Sequence, residues 1–465
     1  MTRNVALFCL DSARCDVFER AATRLSARAE TTFTQCRAAS SWSAPSHASM
    51  FTGRLPSSHG VHAHDRSFAD IDRSGTFLGA MPDHEAIGVS ANIFAGSTYD
   101  FDQLFDQFVD VSTGRRFTEG IDPNAFYVDY EGSGVSRHAA FVRAALAHDH
   151  PLASLANGTL ATINVLSRDA PIPKLLDDGA NVIVREVKRR TDQVEEPYFV
   201  FTNLSDTHMP HRPVWGYDGD HDVPADWTSH EQDVWEVIGD DIDSEQYLEH
   251  FRGLYHESTA YVDRKLDALV DYLDENSDLE TTVIVTADHG ENLGTATDEG
   301  LLGHKSSLSE AVLHVPFLLV NPPEGYDSEE IEYFSHLDLA TLVPALARGE
   351  TPDVFRERVP AEIVGMSPGP DPDSDRDYWD RAMRCVYEGE QKWVWDSLGT
   401  SERYAIDHDR PCWQECVEDD ATVPEWAYDY FEVGISEYKS RASESDDDID
   451  VDAATEERLE DLGYM

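Results

Sequence analysis

Positive charge is what this sequence has least of. Its 465 residues carry 36 Lys and Arg against 90 Asp and Glu, a formal net charge of −54. No basic stripe exists to neutralise phosphates, which argues against nucleic-acid binding. The acid is spread over the whole length rather than gathered in a block. Distributed carboxylates of that kind keep a protein hydrated where salt screens their repulsion. The expectation is a halophilic protein with a cytoplasmic location in a high-salt cell of acidic proteome. Long apolar runs are missing too. The run Val5 to Leu10 is six residues long and stops at Asp11, too short for a signal core or a membrane span. Cysteine is sparse: six residues and no CxxC pair. Cys412 and Cys416 lie four apart with no His or Cys cluster beside them, so isolated thiols are expected rather than a zinc site. No internal repeat is visible.

What is present is enough for a large core, with 41% hydrophobic and 10% aromatic residues. The length calls for a large domain and a smaller one. Val5 to Leu10 reads as a buried parallel strand ending at Asp11. Tyr198 to Asn203 leads in the same way into Asp206 and His208. Thr282 to Ala287 leads into Asp288 and His289, and Phe317 to Val320 is a fourth strand. In open α/β sheets this carboxyl edge is where ligands bind. Tyr247, Phe251, Leu254, Tyr261, Val262, Leu266, Leu269 and Leu273 repeat at helical spacing between 244 and 276. Residues 110 to 195 show only weak helical patterns. The acidic, Trp-rich stretch 212 to 243 reads as a surface insertion bordering the site. From about 350 the pattern changes to mixed strands after the Pro- and Asp-rich 368 to 375. Residues 443 to 452 are an acidic linker, and 456 to 465 read as a helix.

The chemistry sits at the strand ends. Asp11, Asp288 and His289 are oxygen and nitrogen donors suited to Ca²⁺, Mn²⁺, Mg²⁺ or Zn²⁺. A lone Asp at a strand end is usually a turn former or helix cap. An adjacent Asp288-His289 followed by Gly290 is harder to read as simple structure, because Gly permits close backbone approach. In the stretch Ser40 to Gly53, Pro45 marks a helix start. That places Ser43 where helix N-terminal N–H groups favour an anion. Read locally, Ser43 and Ser46 are equally well helix caps.

Several segments in order resemble the sulfatase family of the alkaline phosphatase superfamily. They are Asp11-Ser-Ala-Arg-Cys-Asp16, Ser43-Ala-Pro-Ser-His47 running on to Thr52-Gly-Arg-Leu-Pro56, Ser205-Asp-Thr-His-Met-Pro210, Thr286-Ala-Asp-His-Gly-Glu291, His304-Lys305 with Glu310 and His314-Val-Pro316, and the closing Arg458 to Tyr464. The resemblance implies an α/β fold, an alkaline phosphatase-like three-layer sandwich with a large, mostly parallel central sheet, plus a smaller C-terminal α+β subdomain. It places a catalytic domain at 1–348, the subdomain at 349–440, and an acidic linker with a terminal helix at 441–465.

The family pattern also implies a metal-dependent hydrolase of sulfate esters. Asp11, Ser43, Asp288 and His289 would hold one divalent metal ion, Ca²⁺ by family. The residue at position 43 would be the nucleophile, as a formylglycine where modified. Lys305, His208 and His304 would stabilise the transferred group and the leaving group. The substrate would be a small-molecule or glycan sulfate or phosphate ester. Three departures mark this chain. Ser12 stands where the family has a second Asp, His47 where the modification motif has Arg, and Gly88 to Phe94 lacks the family's Gly-Lys-Trp-His lysine. They leave open an unmodified Ser43 acting on phosphate or phosphonate esters, as in the one-metal phosphotransferase relatives. A two-zinc site would need His211 or His336. A non-catalytic protein binding anionic ligands is the reading from another class. His47 and His59 are expected to be structural or to support the site from behind the residues that line it.

Overall fold

Strand β1 (Asn4–Leu10) is buried along its whole length, as its uninterrupted apolar run requires of a strand covered on both faces. It lies at the centre of an eight-stranded sheet, between β5 (Tyr198–Leu204) and β6 (Thr281–Ala287). A computed structural model describes residues 1–130, 135–167, 170–239, 244–366, 375–444 and 459 of the chain. Beyond β5 the sheet continues with β3 (Glu85–Ser90) and β4 (Gln107–Asp110). Beyond β6 come β9 (Phe317–Val320), β2 (Thr31–Arg37) and β10 (Glu329–Ser335). Only β9 runs antiparallel to its neighbours. The small ribbon of β7 (Asn292–Leu293) and β8 (Leu302–Gly303) follows β6.

Helices cover both faces and make the sandwich three layers deep. The long helix Glu245–Asn276 packs on one side beside Ala180–Thr191 and Cys15–Ala21. All eight of its periodic residues, Tyr247 to Leu273, are buried. Ser43–Thr52 and Leu339–Ala347 pack on the other side. A second sheet is wholly antiparallel: β11 (Arg358–Val364), β12 (Ala382–Glu388), β13 (Gln391–Asp396), β14 (Ser401–Ile406) and β15 (Gln414–Asp419). The helix Ile435–Glu444 takes in the first residues of the expected acidic linker; the rest of the linker and the terminal helix lie outside the described residues, apart from buried Leu459. So does most of the Pro- and Asp-rich stretch before β12.

The register of the central strands sets the site. Leu10 pairs with Leu204 on one side and Ala287 on the other. Ser90 pairs with Asn203. Four adjacent parallel strands therefore end level with one another, and the residues that follow them emerge together at one edge.

The two sheets are joined by a buried ionic knot. Arg37 of β2 lies 3.0 Å from Glu310 with both side chains almost wholly enclosed. Glu310 also accepts from Tyr387 Oη at 2.5 Å and Lys392 Nζ at 3.2 Å, residues of β12 and β13. Lys392 donates further to Leu308 O and Gln414. Burial alone would push the Glu310 carboxyl up, but Arg37 and Lys392 outweigh it and hold it at about 2. An unfolded Glu titrates at about 4.3. The stabilisation is therefore complete above that pH and is lost as pH falls toward 2. Glu310→Gln is expected to cost about 3 kcal/mol at neutral pH, because it leaves buried cations uncompensated. Denaturant titrations at pH 7, 4 and 3 should show the variant with the shallower loss on acidification.

Candidate active site

Asp11, Asp288 and His289 converge at the level strand ends, and their donor atoms all lie within 4.8 Å of one another. The carboxylates are held by their surroundings. Asp11 Oδ2 accepts from Asn92 Nδ2 at 2.8 Å and Ser205 Oγ at 3.3 Å. Asp288 Oδ1 accepts from the backbone N–H groups of Ser12 and His289 at 3.1 and 3.0 Å. Ser12 sits in the left-handed region, φ 62°, a strained setting for a residue with a Cβ. That turn aims its N–H at Asp288, and Tyr255 Oη fixes it by donating to Ser12 O at 2.5 Å. Ser12 is thus a positioner where the family's second Asp was expected. Gly290 has a comparable reason to be glycine: a Cβ there would meet Ala311 O at 2.1 Å.

The residues fit a divalent cation. Asp288 Oδ2 is buried and accepts no hydrogen bond, an expensive arrangement for an anion without a counter-charge. Burial first, and then Asp288 beside it, push the Asp11 carboxyl well above the usual range. His289 Nδ1–H donates to Gly290 O at 2.8 Å. The lone pair of Nε2 then faces the two carboxylates, with the outer hydrogen bond that orients a metal-binding imidazole.

Ser43 opens the helix Ser43–Thr52. Its Oγ lies 3.5 Å from Asp11 Oδ1, 3.4 Å from His289 Nε2 and 2.8 Å from Asn92 Nδ2. Asn92 is the residue that sequence reasoning missed. It follows the end of β3, and its Oδ1 accepts from Phe94 N at 2.8 Å. That bond turns the two amide N–H groups toward Asp11 and Ser43. The signal was available in the stretch 88 to 94, where the search was for a lysine rather than for another donor.

His47 is fully buried and neutral. Its Nδ1–H donates to Ser43 O at 2.7 Å, and its Nε2 accepts from Asn203 Nδ2 at 2.9 Å. Desolvation pulls its pKa down. The imidazole props the first turn of the helix and contributes no charge. His59 sits between Ser49 Oγ and Val61 N–H, which donates to its Nδ1.

His208, His304 and Lys305 gather on one side of the cluster. The His304 ring lies 4.6 Å from the His289 ring and 5.3 Å from that of His208. His304 Nδ1–H donates to Glu291 at 3.2 Å, and His208 Nδ1–H donates to Met209 O. Burial lowers both imidazoles, His304 to about 3. Burial also lowers the Lys305 ammonium to about 8, although Glu291 and Asp233 oppose it, and raises Glu291 to about 8. Asp233 belongs to the acidic insertion, whose helix Val234–Ile238 packs on β8; the insertion does border the site.

His211 and His336 do not join the metal donors. His211 packs edge-on against Phe251 and Tyr255, and His336 Nε2 pairs with Thr286 Oγ1 at 3.1 Å. Among the described residues the other donor group is Glu402, Cys416 and Asp419 on β14 and β15, at the surface. All six cysteines are free thiols.

Comparison with known proteins places this geometry. The family model described as Sulfatase matches residues 3–349. No functionally curated protein matches the sequence. Among solved structures, the phosphonate monoester hydrolase of Agrobacterium radiobacter is 16% identical with a TM-score of 0.56, over 87% of this chain and 89% of that one. A 2-O GAG sulfatase is 14% identical with a TM-score of 0.55, over 87% and 85%. A Bacteroides thetaiotaomicron protein assigned to the sulfatases is 13% identical with a TM-score of 0.54, over 87% and 85%. These likenesses establish a shared fold.

The centre should be measurable without any reaction. Asp288→Asn is expected to abolish divalent-cation binding in titration calorimetry, and Asn92→Ala to weaken it by about 10–100-fold as an outer partner. Glu402→Gln, at the surface group, should leave it unchanged. Equal affinity in all three variants would place the cation elsewhere.

Proposed function

We propose, from the premise that this chain belongs to the sulfatase family and is an ester hydrolase, that it cleaves monoanionic tetrahedral esters, sulfate monoesters first among them. The residue at position 43 is the nucleophile. One divalent cation is held by Asp11, Asp288 and His289, with the oxygen of residue 43 beside it. The observation that carries the reading is the setting of Ser43 Oγ, on a helix N-terminus and within 2.8–3.5 Å of Asn92, His289 and Asp11.

Charge selects the substrate. Asp11 and Asp288 together balance a divalent cation. Lys305 adds one positive charge, while His47, His208 and His304 stay neutral through burial. His47 is uncharged where the modification motif has Arg, and the stretch Gly88 to Phe94, which contains Asn92, lacks the family's lysine. The site therefore carries about one net positive charge at neutral pH, which suits a monoanion. A dianionic phosphate monoester would leave one charge uncompensated in a buried site. Phosphonate monoesters and phosphodiesters are also monoanions, and they form the second reading, favoured by an unmodified Ser43.

The bound cation would polarise the ester and lower the pKa of the nucleophile. The side chains supply the rest. Asn92 donates to Ser43 Oγ and stabilises negative charge growing there. The helix N-terminus acts in the same sense. As the ester bond breaks, Lys305 is the proton donor to the leaving oxygen, because its pKa near 8 is close to working pH. Having given up its proton, neutral Lys305 takes that of the incoming water where residue 43 is serine, while His208 and His304 line the site as neutral imidazoles. If residue 43 is formylglycine, one hydrate oxygen carries the sulfate, and the other gives its proton to neutral Lys305 as the carbon–oxygen bond to sulfate breaks and the aldehyde re-forms. If it is serine, water attacks the transferred group.

The test is turnover of paired aryl sulfate, aryl phosphate and bis-aryl phosphate substrates, with Ser43→Ala as control and the mass of the peptide containing residue 43. Sulfate and diester should be cleaved in preference to phosphate monoester, and Ser43→Ala should lose activity. A preference for the monoester would overturn the charge argument, and full activity of Ser43→Ala would overturn the nucleophile.

Lys305 makes a separate prediction. It is protonated below about pH 8 and neutral above, so kcat/KM should fall on the alkaline side. Lys305→Arg should move that limb upward while lowering the rate with poor leaving groups most.

A further inference from the structure

Three unfavourable features meet at Ser306. It lies in the left-handed region, φ 35°, although it carries a Cβ, a conformation that strains any residue but glycine. It is 1% exposed. Its Oγ has no hydrogen-bond partner among the described residues, and a hydroxyl buried without a partner is itself destabilising. Glycine would relieve the strain, and alanine would remove the orphaned group. Neither the backbone nor the packing therefore calls for serine at this position.

The other serines of the same loop show what a structural hydroxyl does here. Ser307 Oγ accepts from Ser309 N–H at 3.1 Å, and Ser309 Oγ donates to Asn292 Oδ1 at 2.7 Å. Asn292 Nδ2 donates to Gly303 O at 2.6 Å, and Lys392 of the ionic knot donates to Leu308 O at 3.0 Å. The loop from Gly303 to Glu310 is thus pinned at both ends. The strained turn at its middle is held by its surroundings, the condition under which strain persists at functional sites.

This loop lies on the active site. A Cβ built on Gly303 would be 3.9 Å from Glu291 Oε1 and from the sulfur of Met209, the residue after His208. His304 follows, its ring 4.6 Å from that of His289, and then Lys305. Two peptide steps on, the Cα of Ser306 is within about 8 Å of the Cα of His304. The ligand that the proposed reaction brings to this side of the site is a tetrahedral ester. Its non-bridging oxygens only accept hydrogen bonds, and a serine hydroxyl can donate one.

We propose that Ser306 is a further substrate-binding residue, its hydroxyl donating to a non-bridging oxygen of the transferred group on the side that Lys305 occupies. It adds a donor without adding charge, in keeping with a monoanionic ester. The identity of the ligand rests on the proposed function. Binding of a sulfate ion requires no turnover, so the two can fail separately.

The test pairs sulfate affinity with thermal unfolding, both on the metal-loaded protein. In titration calorimetry the wild type should bind sulfate and Asp288→Asn should lose it. Ser306→Ala and Ser306→Gly should each weaken sulfate by about ten-fold, and raise KM for an aryl sulfate by a similar factor. Without sulfate neither should unfold below the wild type, and Ser306→Gly should unfold about 2 °C higher. Ser307→Ala removes a bonded hydroxyl and should do the reverse, with a lower midpoint and unchanged sulfate affinity. Wild-type affinity in Ser306→Ala overturns the proposal, and so does a loss of stability in that variant, the mark of a structural serine. A wild type that binds no sulfate, or an Asp288→Asn that binds it equally, overturns it too. Sulfate affinity that depends on Ser306 in a protein that cleaves no ester would uphold the assignment and overturn the hydrolase reading alone.

Discussion

Two carboxylates buried side by side govern this molecule. Asp11 and Asp288 sit at the ends of adjacent strands with almost no access to water, and like charges in a low-dielectric interior repel strongly. The fold does nothing to separate them. The register of β1 with β6 brings them level, the left-handed turn at Ser12 binds one to the other's loop, and Gly290 lets the backbone pass close to Ala311. Strain and repulsion of this kind persist only where the surroundings enforce them. A divalent cation is the economical way to turn them into binding energy.

The same crowding explains the neutral residues around position 43. Asn92 and His47 both reach Ser43, one through Oγ and the other through the backbone carbonyl. Each is locked by a second hydrogen bond that fixes its orientation. Asn92 can only donate to Ser43, since its Oδ1 is engaged by Phe94. His47 is held as one tautomer between Ser43 and Asn203. Preorganised dipoles of this kind stabilise developing charge without reorganising during reaction. Being uncharged, Asn92 and His47 add no net charge beside Ser43.

Much of this was legible from residue order. Buried parallel strands announce themselves as short apolar runs, and Val5 to Leu10, Tyr198 to Asn203 and Thr282 to Ala287 each ended on the residues that matter. Asp11, Asp288 and His289 were readable because strand ends in a parallel sheet share one edge. Asn92 was not, because an asparagine after a strand has the ordinary local meaning of a cap, and its second role appears only when β3 lies beside β5. Ser12 was read by its side chain, whereas its contribution is a backbone N–H. The helical pair 135–167 was obscure for another physical reason. Amphipathic periodicity is recognised by assuming that the apolar face points inward. In the second helix, Pro151–Ser167, Asn157 and Ser154 take the inside, while the first, Val135–Ala147, buries only Phe141 and Ala145 of its described apolar residues.

The scarcity of basic residues ties these points together. Among the basic residues the chain does have, several lie in the interior. Arg37 and Lys392 meet Glu310, Arg384 meets Glu362 at 2.9 Å, Arg14 meets Asp298 at 3.1 Å and Arg116 meets Asp177. Each of these buried acids has a covalently attached cation, because breaking such a pair would leave an uncompensated charge in low dielectric. Asp206, Asp263 and Glu257 lack such a cation but each accepts two backbone N–H groups, whereas Asp11 and Asp288 are set against each other. The groups nearest them are Asn92, Ser12, Ser43, Ser205 and neutral imidazoles, so the chain provides them with dipoles and no fixed positive charge. What sets this pair apart is two buried carboxylates at one point, with an oxygen of Asp288 that accepts no hydrogen bond, an arrangement that a divalent cation fits.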